Sequence, residues 1–202
     1  MKNLVLSALV FALLASGTAA RGAAQAAQAA DKTSPSYDMK AQSLVDLDDM
    51  HKKFVRLAEA IPAEKYTWRP GDGVRSVSEV FLHVADLNFQ MPPQIGAAPA
   101  PGYKNEGYEK STTDKAKIIE QVSESFEYVH ACVEQMTNAD FTKPETKFGP
   151  EANAGDIIYL IVADDHEHLG QSVAYARVNG IVPPWTAAAL KAQAEKKQPQ
   201  KQ

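Results

Sequence analysis

The stretch "IIYLIVADDHEHLGQ", residues 157–171, begins as an apolar segment and turns abruptly into ionisable residues. Its first apolar residues recur at the three- and four-residue steps of the buried face of a helix: Ile157, Leu160 and Ile161. The same steps lead on to Asp164 and His168. Side chains four residues apart lie next to each other on one helix face. The stretch therefore predicts an α-helix that carries a polar pair, Asp164 and His168, on its inward face.

Three further segments show helical periodicity, and no segment shows a sustained strand alternation. With the first stretch they give four predicted helices, at about residues 38–60, 76–90, 113–136 and 153–178. A long segment rich in Pro and Gly separates the second helix from the third, and it is expected to form a crossover loop. We therefore predict an all-α protein, a four-helix bundle with a long crossover loop between helices 2 and 3.

Local signals mark the ends of these helices. Ser76 stands three residues before Glu79, the spacing of a capping box, although Ser78 is an alternative cap. Asp114 is expected in the first turn of the third helix. The fourth helix is expected to end at Asn179-Gly180, because glycine accepts the left-handed conformation that closes a helix.

The amino-terminal residues predict an exported protein. Lys2 precedes an apolar run at residues 4–15, and small residues follow before a cleavage site near Ala20, which is the layout of a secretory signal. The run is too short for a transmembrane span, so no stable membrane anchor is expected. The predicted location is secreted or periplasmic. The predicted parts of the chain are a signal peptide at 1–20, a disordered Ala/Gln-rich leader at 21–36, the bundle at 37–186, and an Ala-rich helix with a charged, flexible tail at 187–202.

Charge and cysteine content argue against a nucleic-acid partner and against an intrachain disulfide. The chain has 202 residues, 21 Lys and Arg against 25 Asp and Glu, and a net charge of −4. A mildly acidic chain without a basic cluster argues against nucleic acid as a partner. Cys132 is the only cysteine, so an intrachain disulfide is impossible, and its apolar setting indicates a buried, inert thiol.

A third polar residue falls on an apolar face in the second helix. His83 lies three residues after Val80 and four before Leu87, and would need a polar partner from another helix. With Asp164 and His168 it would form a set of two imidazoles and one carboxylate, which suits Zn, Ni or Fe with positions open to water or substrate. The alternative is that the histidines are hydrogen-bonded core residues and Asp164 is their ion-pair partner.

Three other residues are candidate catalytic bases. His166 points about 200° away from Asp164, because a helix turns by about 100° per residue. Like Glu167 it belongs either to a solvated helix surface or to a proton shuttle beside the site. His51 would approach the site if helix 1 packs beside helix 2, and is otherwise a boundary residue.

Three passages resemble the DinB-like superfamily, which has four-helix bundles. They are "YTWRPGDGVRSVSEVFLHVADLN" at 66–88, "HLGQSVAYARVNG" at 168–180 and "IVPPW" at 181–185. The resemblance implies a metal triad of one histidine on the second helix and two on the last. Carried over, these positions are His83, His168 and Asp164, where Asp164 replaces a histidine and Leu169 replaces the usual arginine.

The resemblance also implies two classes of chemistry, metal-dependent hydrolysis and thiol-linked transfer, on an unknown small-molecule substrate. The leading hypothesis is an exported metal-binding bundle that is a hydrolase or transferase. The alternative is a non-enzymatic binding or structural bundle that has lost the metal. A homodimer fits both hypotheses, because the last helix carries a second, partly apolar stripe, formed by Ile158, Val162, Asp165 and Leu169.

Overall fold

A computed structural model describes residues 38–145, 149 and 151–197, and five α-helices occupy most of these described residues. They are α1 (Met39–Ala60), α2 (Val77–Gln90), α3 (Lys115–Gln135), α4 (Ala154–Val178) and α5 (Pro184–Lys197). No β-strand occurs among these described residues. The all-α prediction is confirmed, and α1 to α4 are the four predicted helices. The predicted signal peptide, the leader and the last five residues lie outside the described part.

Side-chain caps set the helix starts. The Ser76 hydroxyl accepts from the Glu79 backbone N–H while the Glu79 carboxylate accepts from the Ser76 N–H, so the predicted capping box is confirmed. Asp114 is the cap of α3 and accepts from the Lys117 N–H, so the prediction that it lies within the first turn was wrong by one position. Gly180 has φ of +77°, which confirms the left-handed residue after α4.

The four long helices do not follow one another around the bundle. Helices α1 and α2 each pack against both α3 and α4. Consecutive helices α1 and α2 therefore lie diagonally across the bundle. The crossover between α2 and α3 contains two 3₁₀ turns, Pro92–Ile95 and Tyr108–Lys110, and the second packs back on α2. Helix α5 touches α1 and has no buried residue.

Aromatic rings join three helices at the centre. Phe54 of α1 contacts Phe81 of α2 edge-on at 6.0 Å between ring centroids, and Phe126 of α3 at 5.6 Å. All three rings are almost completely buried. At one end of the bundle Trp68 packs edge-on against Tyr175 of α4 at 5.3 Å. Tyr175 belongs to the buried core, and the partly buried Trp68 packs against it.

Helix α4 buries a wider face than the sequence indicates. The stripe expected on a dimer surface (Ile158, Val162, Asp165 and Leu169) is buried inside the chain, because α4 packs against α1 on one side and α2 on the other. It therefore offers no surface to a second copy. Leu160, expected inside, is 44% exposed.

Asp165 is the unexpected member of this buried face. Its side chain is fully buried, and neither carboxylate oxygen has a well-formed hydrogen bond. Burial raises the pKa of Asp165 well above its usual value, and the neighbouring Asp164 carboxylate raises it further. A contact with Asn88 works against the shift, but burial outweighs it and favours the neutral form of the carboxyl group.

Candidate metal centre

His83 of α2 meets Asp164 and His168 of α4 inside the bundle. One ligand atom of each residue lies within 4.8 Å of the other two. The distance from His168 Nε2 to Asp164 Oδ1 is 3.4 Å, and that from His83 Nε2 to the same oxygen is 3.9 Å. The structure therefore brings together the three residues that the sequence picked out as ligands.

These distances fit a shared ion. Two ligand atoms held at about 2.0–2.2 Å from a tetrahedral ion lie about 3.4 Å apart. The two imidazole rings stand nearly perpendicular, at 81°, with centroids 4.5 Å apart. Asp164 Oδ2 is buried and has no hydrogen-bond partner among the described residues. The donor set of two imidazoles and one carboxylate, with an unpartnered oxygen, fits a divalent transition metal.

The outer nitrogen of His83 is held by the crossover loop. Glu109, in the second 3₁₀ turn, accepts from His83 Nδ1 at 2.7 Å. The same carboxylate accepts from Arg75 Nε at 2.8 Å and from Arg75 Nη2 at 3.0 Å. Because a carboxylate only accepts, Nδ1 carries the proton and Nε2 keeps its lone pair toward Asp164.

The outer nitrogen of His168 is held from within α4. His168 Nδ1 lies 2.7 Å from Gln171 Oε1, and Gln171 Nε2 donates to the Tyr175 hydroxyl at 3.0 Å. The Tyr175 hydroxyl in turn donates to the Arg75 carbonyl oxygen at 3.2 Å. Since the amide oxygen of Gln171 faces the ring, Nδ1 of His168 is also the donor, and its Nε2 also faces Asp164.

Arg75 therefore connects the two histidines. Its guanidinium binds the carboxylate that holds His83, and its carbonyl ends the chain that holds His168. Burial alone would raise the pKa of Glu109, but hydrogen bonds from Arg75 and His83 lower it below the usual value. The contact with Asp164 raises the pKa of His168, against the effect of its burial. Histidine ligands in proteins commonly donate their second nitrogen to such an acceptor, which fixes tautomer and ring orientation.

The three candidate bases differ in their surroundings. His166 and Glu167 are exposed on α4. The Glu167 charge also acts on His168 and raises its pKa. His51 contacts Ser123 and Phe126 of α3. Helix α1 packs beside α3 and α4 and lies diagonal to α2, so the condition under which His51 would approach His83 is not met.

Sequence reasoning missed Arg75 and Glu109. Arg75 directly precedes the Ser76 cap, and Glu109 lies in a loop whose length alone indicated a role. Helical periodicity carries no information on which loop residue returns to a helix 26 positions away, as Glu109 does to His83.

A family model described as the DinB superfamily matches residues 46–172, which is more than half of the chain. The chain belongs to the DinB superfamily. A search of curated proteins found no match. The resemblance drawn from the loop and helix motifs is thereby confirmed.

Solved structures with a similar fold include three bacterial proteins. A DinB-like protein from Bacillus cereus has 13% identity and a TM-score of 0.59, covering 70% of this chain and 93% of its own. A conserved protein from Enterococcus faecalis has 16% identity and a TM-score of 0.58, covering 70% and 97%. YfiT from Bacillus subtilis, described as "a probable metal-dependent hydrolase with an unusual four-helix bundle topology", has 17% identity and a TM-score of 0.58, covering 73% and 91%. These similarities show the fold.

Cys132 lies away from this centre. It is half-buried and lines a cavity of about 640 Å³ between the crossover loop, α3 and the start of α4. None of the three ligand residues lines that cavity. Burial raises the pKa of the Cys132 thiol, although a hydrogen bond with Tyr128 works against this shift. A protonated thiol is a poor nucleophile, in line with the inert role predicted for it.

Replacing Glu109 by alanine is expected to weaken metal binding at the centre by about 10–100-fold, the usual effect of removing the acceptor behind a ligating histidine. His83 would lose the group that fixes its tautomer and ring. Isothermal titration calorimetry with Zn²⁺ measures the change. Glu106→Ala, at an exposed position of the same loop, is the matched control. Equal affinities for the two variants would show that Glu109 does not hold His83 for metal.

Proposed function

We propose that this DinB-superfamily protein binds a divalent metal ion, Zn, Ni or Fe, through His83, Asp164 and His168, and that it uses the ion as a hydrolase or transferase of a small molecule. The observation that carries the proposal is the matched orientation of the two histidines. Each Nδ1 is held by a protein oxygen, and each Nε2 faces the same Asp164 oxygen. The proposal is also supported by the similar fold of YfiT, which is described as "a probable metal-dependent hydrolase".

The residues around the ion have separate tasks. Glu109 and Gln171 accept from the two Nδ1 atoms, so that in the neutral tautomer the lone pair of each ring lies on Nε2, the atom that would bind metal. A bound divalent ion would supply a Lewis acid that activates water or polarises a substrate. Glu167 is the candidate base among the three predicted residues, because its charge acts on His168 from the exposed side of α4. An exposed base exchanges its proton with solvent readily.

The alternative is a non-enzymatic binding or structural bundle that has lost the metal. It rests on Asp164, which stands where the resemblance implies a histidine ligand. His168 and Asp164 already form an ion-pair contact with each other at 3.4 Å. In this alternative His168 Nε2 carries a proton and donates it to Asp164, in agreement with the raised pKa of His168.

The test is an activity panel on protein prepared without a polyhistidine tag. Aryl esters, amides and phosphate esters would be offered to the metal-loaded protein, the chelated protein and the His168→Ala variant. We expect turnover of at least one class that requires metal and is lost in the variant. Protein that holds no metal and turns over none of these classes would favour the non-enzymatic alternative, whereas stoichiometric metal without turnover would contradict the catalytic part of the proposal.

Export is the second part of the proposal, and it rests on the signal-like residues 1–20. Expressed at full length in a Gram-negative host, the protein is expected in the periplasm with Arg21 as its first residue. Leu13→Arg, which breaks the apolar run, is expected to keep the full-length chain in the cytoplasm. Mass spectrometry of the periplasmic and cytoplasmic fractions identifies the first residue of the chain in each. An unprocessed wild-type chain in the cytoplasm would contradict export.

A further inference from the structure

The crossover loop is fixed to α2 at two neighbouring points. At the first, Glu109 accepts from Nδ1 of the ligand residue His83. At the second, Asp86 binds two side chains of the loop segment that leads up to Glu109. Asp86 follows His83 by three residues on α2, so the two points lie on one face of that helix. The loop therefore contacts α2 both behind a ligand histidine and beside it.

Three polar side chains, Asp86, Tyr103 and Asn105, form the second point and are named the loop clasp. The Tyr103 hydroxyl donates to Asp86 Oδ1 at 2.5 Å. The Asn105 amide nitrogen lies 3.4 Å from each Asp86 carboxylate oxygen and 3.3 Å from the Tyr103 hydroxyl. Because the hydroxyl gives its only proton to Asp86, it accepts from Asn105. Hydrogen bonds to a carboxylate are stronger than those between neutral groups, so the clasp is a firm anchor.

Aromatic rings connect the loop clasp to Glu109. The Tyr103 ring packs against Phe89 of α2 at 5.2 Å between centroids, and edge-on against Tyr108 at 5.3 Å. Tyr108 also packs edge-on against Phe89, at 6.1 Å. Tyr108 directly precedes Glu109 in the second 3₁₀ turn. A displacement of Tyr103 from α2 would therefore also displace the backbone from which Glu109 reaches His83.

We propose that the three residues of the loop clasp are positioning residues of the metal centre, which hold Glu109 against His83 and so couple docking of the loop to metal binding. This inference rests on the proposed function, since it requires an ion at His83. With an ion on Nε2, the imidazole ring donates more strongly from Nδ1 to Glu109. Such coupling is reciprocal, so a docked loop raises the metal affinity by the factor by which metal favours docking.

Tyr103→Phe tests the loop clasp, because it deletes the hydroxyl and keeps the ring. The Zn²⁺ affinity of untagged full-length protein, measured by calorimetry, is expected to fall by about 5-fold, at the lower end of the range of about 5–150-fold for coupled sites. Tyr128→Phe is the matched control. Its hydroxyl anchors the start of the same loop, by donating to the Ala98 carbonyl oxygen at 2.7 Å. This control is expected to leave the Zn²⁺ affinity unchanged.

A double-mutant cycle tests whether Tyr103 acts through Glu109. In a Glu109→Ala background, Tyr103→Phe is expected to change the Zn²⁺ affinity by less than about 2-fold, because the acceptor that it positions is gone. A loss as large as in the wild-type background would contradict a positioning role. Circular dichroism verifies that each variant is folded.

Hydrogen exchange followed by NMR measures the reciprocal effect on the loop. The amides of Lys110 and Ser111 are hydrogen-bonded within the docked 3₁₀ turn. Saturating Zn²⁺ is expected to slow their exchange by at least about 5-fold in wild type and to leave it unchanged in His83→Ala. The amide of Ala97, hydrogen-bonded in the first 3₁₀ turn, is the internal reference.

The outcomes separate this inference from the proposed function. If wild type binds Zn²⁺ but Tyr103→Phe binds it equally well, or if the ion does not slow exchange in the second 3₁₀ turn, the positioning role is wrong and the metal centre stands. An equal loss of affinity in Tyr128→Phe would show a general loosening of the loop and would also overturn the inference. Wild type that binds no Zn²⁺ would overturn the proposed function, and the inference with it.

Discussion

Replacing His168 by alanine is expected to weaken metal binding at the central site by more than about 100-fold. The substitution removes a ligand atom that lies 3.4 Å from Asp164 Oδ1 and leaves two ligands on different helices. The expected loss exceeds the 10–100-fold effect of outer acceptors, because the ligand itself is lost. Calorimetry with Zn²⁺ gives the affinity, and the rise in melting temperature on adding Zn²⁺ gives an independent measure.

His166→Ala is the matched control for this prediction, since it removes an imidazole two residues away that is exposed to solvent. It is expected to leave the metal affinity of the central site unchanged. His83→Ala, on the other helix of the site, is expected to behave like His168→Ala. If both His83→Ala and His168→Ala bind metal as tightly as wild type, the central site is wrong.

Replacing Phe54 by alanine is expected to lower the free energy of unfolding by about 3–5 kcal/mol, the usual cost of deleting a fully buried aromatic ring. Phe54 is 0% exposed and contacts Phe81 and Phe126, so the cavity would open where three helices meet. A domain is commonly stable by only about 5–15 kcal/mol, so this is a large share. Urea unfolding followed by circular dichroism measures it.

Tyr159→Ala is the control for Phe54→Ala. Tyr159 is also an aromatic residue in a long helix, but it is 68% exposed. Its removal is expected to change the free energy of unfolding by less than about 0.5 kcal/mol. Similar costs for the two substitutions would contradict the placement of Phe54 at the centre of the bundle.

Helix positions and ligand pairing were predictable because both depend on local spacing. The four-residue step between Asp164 and His168 decides that they share a face, whatever the rest of the chain does. Capping by Ser76 is equally local. His83 could be predicted as the third member of the site, because a histidine on an apolar helix face requires a polar partner. The family resemblance implied a metal ligand at the same position.

The diagonal placement of α1 and α2 could not be read from periodicity, because helical spacing shows which face is buried and says nothing of the neighbour that covers it. His51 shows the consequence, since its contacts are on α3 and not beside His83. Asp165 is a second case. A carboxylate is normally placed on the surface, and only the contact of α4 with both α1 and α2 shows it to be inside. Glu109 reaches His83 through the fold of a loop, which no local rule predicts.

A crystal structure of the untagged protein with one equivalent of Zn²⁺, with anomalous data at the zinc edge, tests the central claim most directly. The account predicts an anomalous peak about 2.0–2.2 Å from His83 Nε2, His168 Nε2 and an Asp164 oxygen. Glu109 and Gln171 should still hold the two Nδ1 atoms. An anomalous map without a peak among these three side chains, with zinc bound elsewhere or not at all, would contradict it.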